Sequence, residues 1–108
     1  MNNGYNNDWD QFRNNNNKPS LYQIWMIQGE ATTSHFLYKI LKTNFHYSNS
    51  TTINMIREIS DTGYTMCGTY TKDIAETKVH EVMKKASSDK QFIKLIIQKG
   101  VEHVVRKS

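Results

Sequence analysis

Hydrophobic and polar residues follow patterns between residues 20 and 99 that predict three strands and three helices. Residues 21–27 form an apolar run interrupted only by Gln23, which favours a strand buried on at least one face. Residues 64–71 are rich in Tyr and Thr and show no helical period, which favours a second strand. A third short strand is predicted at 93–97, where Ile93, Leu95 and Ile97 fall on one face.

The remaining segments carry apolar residues at helical spacing, and each has residues suited to end it. Thr32 or Thr33 can cap the first helix, and Thr71 can cap the third through its hydroxyl. Gly63 stands where a glycine in the left-handed conformation would end the second helix. The predicted inner faces are Phe36, Leu37, Ile40, Leu41 and Phe45; then Ile53, Ile56 and Ile59 with Met55 beside them; then Ala75, Val79, Val82, Met83 and Ala86.

The order β-α-α-β-α-β predicts an α/β (α+β) two-layer sandwich, with a three-stranded sheet and three helices on one face. A chain of 108 residues suits one domain with tails, and we expect the domain to span residues 19–99. Residues 1–18 contain eight asparagines and little apolar content, which predicts a disordered tail. Tyr5, Trp9 and Phe12 interrupt that tail and are either incidental or part of a short docking element. Residues 100–108 are predicted to be a flexible C-terminal tail.

The net charge of +4 is unevenly distributed along the chain. Residues 84–108 carry seven basic and two acidic side chains, whereas residues 19–83 carry five basic and six acidic ones. A nucleic-acid-binding domain needs a basic face on its folded part, so this distribution speaks against that class. No apolar run approaches the roughly 18–20 residues of a membrane span, and no secretory signal is visible. We therefore expect neither a nucleic-acid nor a membrane partner, and no secretion.

The sequence predicts no catalytic residues, no metal site and no cofactor. The four histidines are far apart and lack the spacing of metal ligands. Cys67 is the single cysteine, so an internal disulfide is impossible. Nothing near Cys67 in the sequence would lower its pKa, which favours a buried structural thiol over a nucleophile. These exclusions leave a binding module as the interpretation.

Residues 67–71, Cys-Gly-x-Tyr-Thr, are followed at 74–79 by Ile-Ala-Glu-Thr-Lys-Val. This combination closely resembles the signature of the ClpS family, and the resemblance extends from about Pro19 to Gln98. ClpS proteins are adaptors that hand substrates to Clp AAA+ unfoldases in bacteria and plastids. The resemblance implies the fold predicted above, no enzymatic activity, and a location in the bacterial cytoplasm or an organelle stroma. We expect a monomer.

The resemblance also implies two binding sites. In the family, the first part of the third helix contacts the N-terminal domain of ClpA or ClpC. The corresponding residues here are Asp73, Glu76, Thr77 and Lys78, which we expect on the solvent face. Lys78→Glu is then expected to disrupt docking without unfolding the domain.

The second site is the family's pocket for N-degrons, the bulky residues Leu, Phe, Trp or Tyr at a substrate's N-terminus. The family pattern Asn-Asp-Asp-x-Thr-Pro-Met corresponds here to residues 28–34, which read Gln-Gly-Glu-Ala-Thr-Thr-Ser. The family's pocket histidine corresponds to Ser60. The pocket residues implied by the resemblance are Gln28, Gly29, Glu30, Thr32, Ser34, Leu37, Ile56, Ile59, Ser60 and Ile93.

Several acceptors for the substrate's α-amino group are therefore replaced. Gly29 lacks a carboxylate, and Ser60 keeps only a hydroxyl. An α-ammonium leaving water needs such acceptors, preferably a carboxylate. We expect an adaptor with weakened or altered N-degron recognition. The alternatives are an inhibitory or decoy ClpS that docks without delivering substrate and, from another class, a small nucleic-acid-binding module.

Overall fold

The computed structural model describes residues 20–100. The elements are β1 (Leu21–Gln28), α1 (Ser34–Thr43), α2 (Asn49–Thr62), β2 (Tyr64–Thr71), α3 (Lys72–Ser88) and β3 (Ile93–Lys99). This order confirms the predicted β-α-α-β-α-β arrangement. The predicted N-terminal tail and all of the predicted C-terminal tail except Gly100 lie outside the described residues.

The sheet places β1 in the centre, with β2 on one side and β3 on the other, and both pairings are antiparallel. The pairing with β3 is regular, so that Trp25 lies opposite Ile96. The pairing with β2 changes from Ile24 opposite Gly68 to Trp25 opposite Met66. Cys67 is therefore the extra residue of a β-bulge, which breaks the simple alternation of side chains expected for this strand.

The bulge determines which side chains of β2 face the helices. Thr65, before the bulge, and Cys67, within it, are buried, whereas Tyr70 after the bulge packs partly buried against the core. A Cβ atom on Gly68 would lie 2.6 Å from the Tyr70 hydroxyl oxygen. The glycine of the Cys-Gly-x-Tyr-Thr motif thus leaves room for the Tyr70 ring to lie against the strand.

The core lies between the inner face of the sheet and the three helices. The apolar face predicted for α1 is confirmed, since all five of its residues are buried. The prediction for Ile53 was wrong, because its side chain is 48% exposed and Thr52 is buried instead. Thr52, Met55 and Ile59 have helical spacing too, and packing against the sheet selects that side of α2. Met83 on α3 was also predicted to be internal but is 40% exposed.

Most of the predicted helix ends are confirmed. Thr33 Oγ1 accepts a hydrogen bond of 3.1 Å from the backbone N–H of Phe36 at the start of α1. Thr71 is the first residue before α3, but its side chain makes no capping hydrogen bond within residues 20–100. Gly63 ends α2 with φ of 94° and donates its N–H to the Ile59 carbonyl at 2.7 Å.

Substitution of Gly63 tests this helix end. We expect Gly63→Ala to lower the free energy of unfolding by about 1–2 kcal/mol, because a side chain disfavours the left-handed conformation. No atom lies within 4 Å of the added Cβ, so the cost is conformational rather than steric. Gly63→Asn should lose less, since Asn tolerates this conformation. Urea denaturation measures both, and equal losses for the two variants would contradict the conformational explanation.

Candidate functional site

The first half of α3 presents an exposed, mainly acidic surface. Asp73, Glu76 and Thr77 are exposed, and the last two follow Asp73 by three and four residues, which places them on one side of the helix (the α3 face). Within residues 20–100, neither carboxylate takes part in a salt bridge. Asp73 lies in the first turn, where the helix dipole favours negative charge. The α3 face therefore keeps both charges available to solvent or to a partner.

Lys78 follows the α3 face but does not extend freely into solvent as predicted. It is partly buried, and its Nζ donates a hydrogen bond of 2.8 Å to the backbone carbonyl of Asn44. The same Nζ lies 5.4 Å from the centroid of the Tyr70 ring and 5.8 Å from that of Phe45. Aromatic faces attract cations at these distances. The expectation that Lys78 lies on the solvent face was therefore wrong for its ammonium group, which is held against the protein. The docking role of Lys78 stays a prediction.

Asn44 explains why the ammonium is held at this position. It caps the C-terminal end of α1 and is only 5% exposed. Carbonyl groups at a helix C-terminus carry partial negative charge, which favours a cation beside them. Lys85, two turns further along α3, donates to the side-chain oxygen of Asn44 at 3.0 Å. Two lysines of α3 therefore tie this helix to the end of α1.

The titratable groups beneath Lys78 are held in their neutral forms. Burial raises the pKa of Cys67 to about 12, so the thiol is protonated at neutral pH. Burial, followed by the proximity of Tyr47 and Cys67, raises the pKa of Tyr70. The hydroxyl of Tyr47 donates to the Cys67 carbonyl at 2.6 Å. These findings confirm that Cys67 is buried, and a neutral thiol is not poised for nucleophilic chemistry.

The loop between β1 and α1 contains the predicted amine-binding positions and is held by Thr32. The Thr32 hydroxyl accepts from the Gly29 N–H at 3.0 Å and donates to the Phe92 carbonyl. The Thr32 N–H in turn donates to the Gly29 carbonyl at 3.2 Å. The Thr33 N–H donates to the Gln91 side chain at 2.9 Å. The loop is therefore attached to the residues that precede β3.

Gly29 lies against the backbone of Phe92. A Cβ atom at position 29 would be 2.5 Å from the Phe92 carbonyl oxygen and 3.2 Å from Thr32 Oγ1. A contact of this kind with backbone requires the loop to shift. The place where an aspartate side chain would begin is thus occupied by the chain itself.

The structure separates the predicted pocket residues into three groups. Gln28, Gly29, Thr32 and Ile93 come together, because Gln28 pairs with Ile93 across the sheet. The Gln28 N–H also donates to the Gly63 carbonyl at 3.2 Å, which brings the end of α2 to this edge. The second group, Glu30, Ser34 and Ser60, is exposed, as is Gln28 of the first group. The predicted lining of Leu37, Ile56 and Ile59 belongs mainly to the core, since Leu37 and Ile59 are each 1% exposed and Ile56 packs against them.

The comparisons with known proteins decide the family. The family model described as ATP-dependent Clp protease adaptor protein ClpS matches residues 17–96. The chain belongs to the ClpS family. It is an adaptor for substrate delivery to a Clp protease and not an enzyme.

Individual ClpS proteins show how far the likeness extends. The ClpS of Neisseria meningitidis serogroup A is 31% identical over 84 residues, covering 78% of this chain and 82% of that protein. The ClpS of Maricaulis maris is 35% identical over 69 residues, covering 64% of this chain and 63% of that protein. The structure of Agrobacterium tumefaciens ClpS2 bound to L-phenylalaninamide matches with a TM-score of 0.72 at 22% identity. It covers 77% of this chain and 100% of that one, which confirms the ClpS fold.

A hollow of about 260 Å³ lies beside the predicted ClpS pocket and shares Ile93 with it. Its lining consists of Met83, Ala86, Ser87, Gln91, Phe92 and Ile93. The Phe92 side chain is 70% exposed at this hollow. No sequence pattern singles out Phe92, because this residue precedes the apolar pattern of the strand. Phe92 lies against Gly29, which is more than sixty positions earlier in the chain, so no pattern among neighbouring residues indicates this contact.

Within residues 20–100, no three His, Cys, Asp or Glu side chains are grouped closely enough to hold a metal ion. No helix in that range has both the length and the apolar character needed to cross a membrane.

Reversing the charge of Lys78 tests the tie between α3 and α1. We expect Lys78→Glu to lower the free energy of unfolding by about 1–2 kcal/mol, because a carboxylate would face the Asn44 carbonyl and two aromatic rings. Lys72→Glu is the matched control: it makes the same charge change at an exposed residue in the first turn. Chemical denaturation should show little loss for the control. Equal stability of the two variants would show that the Lys78 contacts contribute nothing.

Proposed function

We propose that this adaptor docks on the N-terminal domain of a Clp AAA+ unfoldase of the ClpA or ClpC type through the α3 face and Lys78. Docking there modulates which substrates enter the protease. The observation that carries the proposal is an exposed acidic surface beside a lysine held in one position. Opposite charges side by side favour one orientation of a charged partner and speed its association.

The fixed position of Lys78 supports this role. Binding costs the conformational freedom of the side chains that become ordered, about 0.5–1.5 kcal/mol for each long one. The Lys78 ammonium is already held by Asn44, Phe45 and Tyr70 before a partner arrives. Part of that cost is therefore met by folding, so a partner carboxylate would meet a preorganised cation.

A charge reversal on the α3 face tests docking. We expect Glu76→Lys to weaken binding of the unfoldase N-terminal domain about tenfold, with a slower association rate and an altered salt dependence. Asp61→Lys is the control, because it makes the same charge change at an exposed residue of α2, away from the α3 face. Titration calorimetry at two salt concentrations measures both variants. Equal affinities would overturn the assignment of the α3 face, and absence of binding by the wild-type chain would overturn the docking function.

We further propose that N-degron recognition is weakened or altered in this chain. The close approach of Gly29 to the Phe92 carbonyl supports this, since it leaves no space for a carboxylate side chain at that position. Ser60 is exposed and offers a hydroxyl in place of a ring nitrogen. Loss of one charge-assisted hydrogen bond costs about 1.5–3 kcal/mol, or roughly ten- to a hundredfold in affinity.

Peptides beginning with Phe or Leu test the amine site. Agrobacterium tumefaciens ClpS2 binds L-phenylalaninamide, which carries a free amine, and it provides the reference protein. We expect roughly ten- to a hundredfold weaker binding by this chain than by that ClpS2, measured by fluorescence anisotropy. Binding of equal strength that is lost on N-acetylation would refute the proposal.

Two variants separate the causes of the weaker binding. Ser60→His adds an acceptor at an exposed position and should strengthen free-amine binding while leaving acetylated peptides unchanged. Gly29→Asp should instead lower stability, because its Cβ meets backbone. Stronger binding by Gly29→Asp at unchanged stability would contradict the close approach.

The inhibitory or decoy alternative predicts docking of normal strength without delivery. Competition with a delivering ClpS in a reconstituted degradation assay separates it from an adaptor, since only the decoy lowers turnover of every degron substrate. Membership of an adaptor family speaks against the nucleic-acid module. The bacterial relatives support a cytoplasmic location.

A further inference from the structure

The outer face of the sheet, which points away from the three helices, carries a continuous apolar patch. Ile24 and Met26 point into the core, so the alternate residues of β1 point outward. The strand register aligns the outward residues in two rows. These rows are Met66–Trp25–Ile96 and Tyr64–Ile27–Lys94. The five apolar members, Trp25, Ile27, Tyr64, Met66 and Ile96, are the outer sheet patch.

Much of this patch is open to solvent. Tyr64 is 48% exposed, and Met66 and Ile96 are each 37% exposed. The rings of Trp25 and Tyr64 meet edge to face at a centroid distance of 5.8 Å, which gives the patch a rigid aromatic centre. A row of Thr69, Gln23 and Gln98 borders it along the strands. A contiguous apolar area rimmed by polar residues is typical of a binding surface.

The charge on this face favours an acidic occupant. Among the outward-facing strand residues that the structure describes, Lys94 is the charged one and none is acidic. A second copy of the same face would therefore bring further positive charge and no complement. A segment that combines aromatic rings with carboxylates could pack its rings on the patch and place its carboxylates near Lys94.

Residues 5–12 of the same chain have this composition. Tyr5, Trp9 and Phe12 supply three aromatic rings within eight residues. Asp8 and Asp10 flank Trp9.

The connecting chain is long enough for this contact. Trp25 lies four residues into β1 from Leu21, about 13 Å along the strand at roughly 3.3 Å per residue. The eight residue-to-residue steps from Phe12 to Ser20 can span up to about 26 Å. Phe12 and Trp9 can therefore reach the patch by turning back over the face from the start of β1.

We propose that the outer sheet patch is the docking site for residues 5–12 of the same chain. The Trp9 and Phe12 rings lie on Trp25 and Tyr64, and the two aspartates face Lys94. A short tether gives an effective concentration in the millimolar range, so a weak intrinsic affinity is enough to populate the contact. The docked segment is withheld from other partners, which must compete with the patch for it.

The two tryptophans of the chain, Trp9 and Trp25, make the contact measurable. Trp25→Phe keeps a ring in the patch and leaves Trp9 as the single reporter. If about half of the molecules are docked, acrylamide quenching of Trp9 should be roughly half as efficient as for a solvated residue. Adding Ile96→Glu should restore full quenching. Adding Ile53→Glu, at a residue of α2 with 48% exposure, should leave the protection unchanged.

A second readout leaves the folded body unaltered. In the full-length chain, Trp9→Ala with Phe12→Ala should shift the backbone amide resonances of Tyr64, Met66 and Ile96, while Asn2→Ala with Asn3→Ala should not. Full quenching of Trp9 in every variant, or no shifts at the patch, would overturn the proposal. Protection that grows with protein concentration, together with a dimer in sedimentation velocity, would also overturn it by assigning the patch to a second copy.

Discussion

The ammonium group of Lys78 joins parts of the chain that are distant in sequence, and it ties α3 to the end of α1. The β-bulge at Cys67 turns Tyr70 toward the helices, and Gly68 leaves space for its ring. That ring and Phe45 then flank the Lys78 Nζ, which donates to the Asn44 carbonyl. The Cys-Gly-x-Tyr-Thr motif of β2 therefore supplies part of the aromatic surface against which Lys78 of α3 is held.

The β1–α1 loop is held by hydrogen bonds of Thr32, whereas α3 is held in part by the ammonium group of Lys78. Thr32 uses its hydroxyl to satisfy the Gly29 N–H and the Phe92 carbonyl, and Gly29 allows that close approach. A buried polar group without a partner would be costly, so these bonds hold the loop in one position. The same close approach leaves no space for a side chain at position 29. Anchoring of the loop and a side chain at this position therefore compete for the same volume.

Features that depend on local pattern could be predicted from the sequence, whereas features that depend on distant contacts could not. The strands, the α1 face and the glycine at the end of α2 each have a signal within a few residues. The bulge arises from pairing with β1, more than forty positions earlier. Ile53 and Thr52 both fit a helical stripe, and only packing on the sheet decides between them. The burial of Lys78 and the contact between Gly29 and Phe92 likewise depend on residues far along the chain.

The residues of the two proposed sites contribute to the fold to different degrees. Lys78 and Lys85 contribute to the attachment of α3, so a change at either residue affects the stability of the fold. Glu30, Ser34 and Ser60 are exposed and contribute little to the core. Substitutions at such positions usually change stability by less than about 0.5 kcal/mol. Selection for a folded protein alone would therefore retain the position of the Lys78 ammonium, but not the polar side chains at positions 30, 34 and 60.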